Sequence, residues 1–147
     1  MTATAHAIVG GAIAASVPDP SIGIPLAALS HPILDLIPHW DFGWGWKKKS
    51  KILLFAQTFA DLSFGLVVTY FLFGSLVNNL YLTIAVFLSL VWDFLQAPYW
   101  LLGWKFMPFS TFYNVQHGMN GKIKLPWGIL TQVATVGGVV LASRFFH

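Results

Sequence analysis

Long apolar runs separated by short polar breaks dominate the chain, and the first run, Ala3 to Val17, is a Gly- and Ala-rich helix ended by Pro18-Asp19-Pro20. Proline stops a helix and restrains the residue before it, so a tight turn is expected there. Ser21 to Ile37 forms the second helix. Both fall short of the roughly 20 apolar residues that a bilayer crossing needs, which predicts a hairpin inside a bundle. Two clear spans follow, about Ile52 to Phe73 and Leu80 to about Gly103, joined by a turn at Asn78-Asn79. Lys105 to Lys124 mixes polar, Gly and Pro residues and suits an interfacial or re-entrant segment. Pro126 to Phe145 closes the chain as a last helix. The pattern predicts an all-α integral membrane bundle of about five helices in a single domain, residues 1 to 147.

Composition strengthens this reading. The 147 residues are 56% hydrophobic and only 9% charged, against about 25% charged in soluble domains. Small residues at Ala12 to Ser16 after an apolar stretch suggest a signal peptide, but Met1 to Ala5 lack a positive n-region, so the segment is read as mature structure. There is no cysteine, which excludes disulfides, thiolate metal sites and a Cys nucleophile. Eight scattered Lys and Arg residues make a poor nucleic-acid surface. The seven lysines instead fall in alternate connections, at Lys47 to Lys51, Lys105, Lys122 and Lys124, which assigns those connections to the cytoplasm and the chain to a cytoplasmic membrane as a multi-pass protein. Trp40, Trp44, Trp46, Trp100, Trp104 and Trp127 accompany them as an interfacial belt. Gly11 and Ala15, four apart, would let another helix or a second copy approach closely.

The chemistry lies in the ionisable residues. All five acids are Asp, and Asp35, Asp61 and Asp93 sit in apolar helices, where each costs at least ~2.5 kcal/mol unless compensated. Threading the topology brings His6, Asp35, His39, Asp61, Asp93 and His117 to one depth, with Asp19 and His147 on the far side. The densest group is His31, Asp35, His39 and Asp41. Residues four apart share a helix face, so His31, Asp35 and His39 can point together as ligands of zinc or another divalent ion. A plainer alternative makes His31 and Asp35 a packing pair and lets Asp93 pair with a lysine such as Lys105. The metal ligands are expected from His6, His31, Asp35, His39, Asp93 and His117.

Thr4-Ala-His6, then His31-x-x-x-Asp35-x-x-Pro38-His39-x-Asp41, then Asp93 and His117, resemble small bacterial membrane-bound metal-dependent hydrolases, similar in outline to zinc-dependent phospholipase C-like proteins. Short members with an Ile-Pro-His-Trp-Asp signature and a closing Gly-Ile-Leu-Thr-Gln segment, here Gly128 to Gln132, are the nearer likeness. The resemblance implies hydrolysis of an ester or phosphodiester in a lipid or lipid-linked substrate at the bacterial inner membrane. Zinc would activate water, and Asp61 or Asp41 would act as general base. A metal-ion or proton carrier is the alternative, since Asp and His chains also form transport paths. A non-catalytic assembly subunit is the third.

Overall fold

The computed structural model describes residues 1 to 146, so His147 lies outside the described residues. Seven α-helices account for most of them: α1 (Ala3–Ser16), α2 (Pro20–Asp35), α3 (Lys51–Phe73), α4 (Asn79–Ser89), α5 (Val91–Leu101), α6 (Phe109–Met119) and α7 (Trp127–Ser143). Among the described residues the one β pairing is an isolated parallel bridge between His39 and Lys122. The all-helical expectation stands, while the expected five helices become seven.

Local signals set the boundaries. Thr2, Asp19, Ser50 and Asn78 cap α1, α2, α3 and α4, each side chain accepting from a backbone N–H in the first turn. Pro25 and Pro32 lie inside α2 without ending it, and α2 stops at Asp35, two residues before the expected Ile37. The main correction concerns Leu80 to Gly103. In place of one straight helix, α4 ends at Ser89 and α5 begins at Val91, bent by 45°. No Gly or Pro marks the break. Ser89 Oγ donates back to the Val86 carbonyl at 2.8 Å, a local bond that competes with the helical ladder, and Ser89 lies against Gly10 of α1.

The small residues of α1 make it the central helix. Ten of its residues are buried, including Gly10, Gly11, Ala12, Ala14 and Ala15, and α2, α3, α4 and α7 surround it. A helix packed on every side needs no polar face, which is why its sequence is apolar all round. Gly65 of α3 lets the Thr4 backbone in: a Cβ there would lie 2.6 Å from Thr4 Cα. Asp61 meets the start of α1, so α3 runs on from that level for the ten residues back to Lys51, roughly 15 Å. That overhang, with α5, α6 and the 36–50 segment, walls a cavity at one end of the bundle.

By length and composition α3 is apolar enough to cross a membrane alone, and α4 with α5 passes only as a bent pair. The outer face of α3 carries exposed Ile52, Phe55, Phe59, Phe64, Val67 and Phe71.

Candidate metal centre

Asp35 ends α2 at the bottom of the cavity and is 2% exposed. Three imidazoles close on its carboxylate. His6 Nε2 lies 3.2 Å from Oδ1, His31 Nε2 3.4 Å from Oδ2, and His39 Nε2 3.8 Å from Oδ1. His31 Nε2 is also 3.6 Å from Asp93 Oδ1, and His39 Nε2 is 3.7 Å from Asp41 Oδ2. The His6 and His31 rings stack with centroids 3.6 Å apart. The Met1 ammonium contacts Asp35 Oδ1.

The backbone fixes how two of these rings point. His31 Nδ1 hydrogen-bonds the Ser89 carbonyl at 2.7 Å, and His39 Nδ1 the Ile37 carbonyl at 2.7 Å. A carbonyl only accepts, so each Nδ1 carries a proton and each Nε2 is turned towards the carboxylates, the orientation found in metal-binding histidines. The break between α4 and α5 supplies the first of these carbonyls. With the ladder interrupted at Leu90, the Ser89 carbonyl takes the imidazole instead of a backbone N–H.

His39 depends on a different anchorage. Its N–H donates to the Gly121 carbonyl, its carbonyl accepts from Ile123 N–H, and Gly121 N–H donates to the Asp35 carbonyl, so the end of α2 is stapled to the linker before α7. Gly128 admits Trp40, since a Cβ there would lie 2.6 Å from Trp40 N. Gln132 accepts from Thr2 N–H at 2.9 Å and donates to the Trp40 carbonyl at 2.6 Å. The Gly128 to Gln132 segment thus ties the start of α1 to the residues around His39.

The donor set fits a divalent ion. Atoms sharing a tetrahedral zinc at about 2.0–2.1 Å stand roughly 3.3 Å apart, close to the spacings here. Both ring nitrogens of His6 and Nε2 of His39 are buried without a hydrogen-bond partner, an unusual cost unless something else bonds them. One ligand atom each from His6, His31 and Asp93 falls within 4.8 Å of the others.

Of the residues expected from the sequence, His6, His31, Asp35, His39 and Asp93 come together, with Asp41 beside His39. Asp93 meets His31, Gln96 and Gln116, not Lys105. His117 does not join the cluster; it is exposed at the rim, stacked on Tyr113, with Nδ1 3.3 Å from Lys122 Nζ. Asp61 lines the cavity, but its carboxylate accepts from Ala3 N–H at 2.7 Å, Thr4 N–H at 3.3 Å and the Thr4 hydroxyl at 2.7 Å, holding the first turn of α1. Burial would raise the Asp41 carboxyl, yet the His39 imidazole beside it outweighs burial and holds it below its ordinary value.

Sequence reasoning missed Gln116. Its buried amide nitrogen sits 2.7 Å from His31 Nε2, 3.4 Å from Asp35 Oδ2 and 3.5 Å from Asp93 Oδ1, and its Oε1 is buried without a partner. Turned about, the same amide offers an oxygen ligand. A glutamine one residue before His117 in a polar helix carries no distinguishing signal.

Comparison with protein-family models, curated proteins and solved structures finds no match for this chain.

Proposed function

We propose that this chain is a membrane-embedded, metal-dependent hydrolase that cleaves an ester or phosphodiester bond of a lipid or lipid-linked substrate. The observation that carries the reading is the pair His31 and His39, each held at Nδ1 by a backbone carbonyl and aimed by Nε2 at the same buried carboxylate. Such an arrangement has little use in packing and suits a zinc ion.

His6, His31, His39, Asp35 and Asp93 are the candidate ligands, and Gln116 a reserve. A bound zinc supplies Lewis acidity and lowers the pKa of water towards neutrality. The chain's own part is orientation and proton handling. In hydrolysis the water oxygen bonds to the acyl or phosphoryl centre, the bond to the leaving oxygen breaks, and one water proton passes to Asp41 and then to that leaving oxygen. Asp61 is assigned to holding α1 rather than to the proton.

Membrane embedding draws support from the exposed apolar face of α3 and from the bent pair α4 and α5. Seven of the eight basic residues, all but Arg144, lie in or beside the connections at the cavity end, in line with a cytoplasmic face. The cavity, about 470 Å³, has a size suited to a lipid headgroup. The sequence likeness to membrane-bound metal-dependent hydrolases points the same way.

Elemental analysis of protein purified in mild detergent tests the proposal. Stoichiometric zinc, lost in Asp35→Ala and His31→Ala, is expected, together with turnover of a glycerophospholipid or a simple aryl ester. A folded, metal-free protein that takes up no added zinc would overturn it.

A further inference from the structure

The cavity is divided by charge. Buried Asp35 lines its floor, with the imidazoles behind it; at the mouth stand Lys47, Lys48 and Lys122, all exposed. Asp41, Asp61 and Asp93 line the same cavity, yet among the described residues none of these lysines forms a salt bridge with a carboxylate. Two of them stand beside rings. Lys47 Nζ stands 5.9 Å from the Trp46 ring centroid, and Lys122 Nζ 3.3 Å from His117 Nδ1. Lys47 and Lys122 come from two separate loops and line one cavity together with His117.

The wall beside them is aromatic. Tyr99 and Tyr113 stack 3.9 Å apart, Tyr113 stacks on His117, and Trp46 meets both tyrosines edge-on. Unpaired ammonium groups around an aromatic wall leave a positive opening over an acidic floor. A carboxylate offers two acceptor oxygens and one charge, whereas a phosphoryl group offers three oxygens and up to two charges, the better match for three lysines.

We propose that the mouth of the cavity is a phosphoryl-anion subsite, in which Lys47, Lys48 and Lys122 hold a phosphate group beside His117 and the Trp46–Tyr113 wall. It deepens the hydrolase reading by making the substrate a phosphate-bearing one, and rests on that reading for the chemistry below. The subsite itself uses no metal ligand.

Calorimetric titration of the detergent-purified protein with inorganic phosphate, and separately with short-chain phosphatidate against short-chain phosphatidylcholine, tests it, with zinc content measured on each sample. Binding should weaken roughly tenfold or more in Lys47→Gln/Lys122→Gln, with zinc content unchanged, and not in Lys124→Gln, outside the cavity. Lysine-dependent binding of both probes identifies free phosphoesters as ligands; binding of phosphatidate alone identifies the lipid headgroup. Equal binding by wild type and double variant, or none by wild type, overturns the subsite. Phosphate binding that survives in the lysine variant but vanishes in Asp35→Ala overturns the subsite and leaves the metal centre standing. Lysine-dependent binding by a protein without zinc does the reverse.

Discussion

The Thr4 hydroxyl donates to Asp61 Oδ1 at 2.7 Å, and the same carboxylate accepts the N–H groups of Ala3 and Thr4. Those donors have no partner within α1, so Asp61 does for the central helix what a capping residue does, from another helix. Hydrogen bonds to a charged group contribute about 1.5–3 kcal/mol each. Asp61→Ala should therefore destabilise the bundle by about 3 kcal/mol in denaturant titrations in detergent. Asp61→Asn should retain about half of that, and the folded fraction of either variant should bind zinc as the wild type does if the proposed metal centre is right. Unchanged stability with abolished turnover would restore Asp61 to the role of general base expected from the sequence.

Gly10 lies against Ser89, and a Cβ there would stand 2.5 Å from Ser89 Oγ and 2.8 Å from its Cβ. Because the Ser89 carbonyl orients His31, Gly10→Ala should disturb the proposed metal centre without touching a candidate ligand. Loss of such supporting contacts typically lowers metal affinity about 10- to 100-fold. Competition with a chromophoric zinc chelator measures it; an affinity within twofold of wild type would separate Ser89 from metal binding.

The absence of cysteine makes topology directly measurable. Lys105→Cys and Asn78→Cys mark opposite ends of the bent α4–α5 pair. A membrane-impermeant maleimide should label Asn78→Cys in intact spheroplasts and Lys105→Cys only in inverted vesicles. The reverse pattern would turn the cavity outward, and labelling of both positions from one side would deny that this pair crosses.

Asp19 is held below its ordinary carboxyl value by the Ser21 hydroxyl first and the Ser21 N–H second. A carboxyl depressed in the folded state contributes stability that is complete above its unfolded value, near 3.9, and lost as pH falls through the lower folded value. Thermal melts in detergent should show the difference between wild type and Asp19→Ala at pH 7, and show it shrink below about pH 4. A difference constant across that range would mean that the charge of Asp19 takes no part in capping α2.

The parts of the site that share one helix were legible from spacing alone. His31 and Asp35, four apart, share α2, whereas His39 lies beyond its end and reaches the same carboxylate through the backbone bonds to Gly121 and Ile123 rather than through a further helical turn. Carboxylates inside apolar helices were legible as a cost, which singled out Asp61 and Asp93. Their partners were not, because the backbone N–H groups that satisfy Asp61 belong to every residue alike. Gln116 escaped for a related reason, since only its burial separates it from its polar neighbours. The break at Leu90 escaped because it arises from a serine bond and a close helix contact, neither of which disturbs the run of apolar residues.

That break also decides which nitrogen of His31 carries its proton. A continuous helix would return the Ser89 carbonyl to the ladder, and the ring would be free to turn over and carry its hydrogen on either side. The bend is in this sense a tautomer selector. Variation that straightened it would preserve helix content, apolar length and every candidate ligand, yet leave a ring with two protonation isomers where the proposed ion would need one.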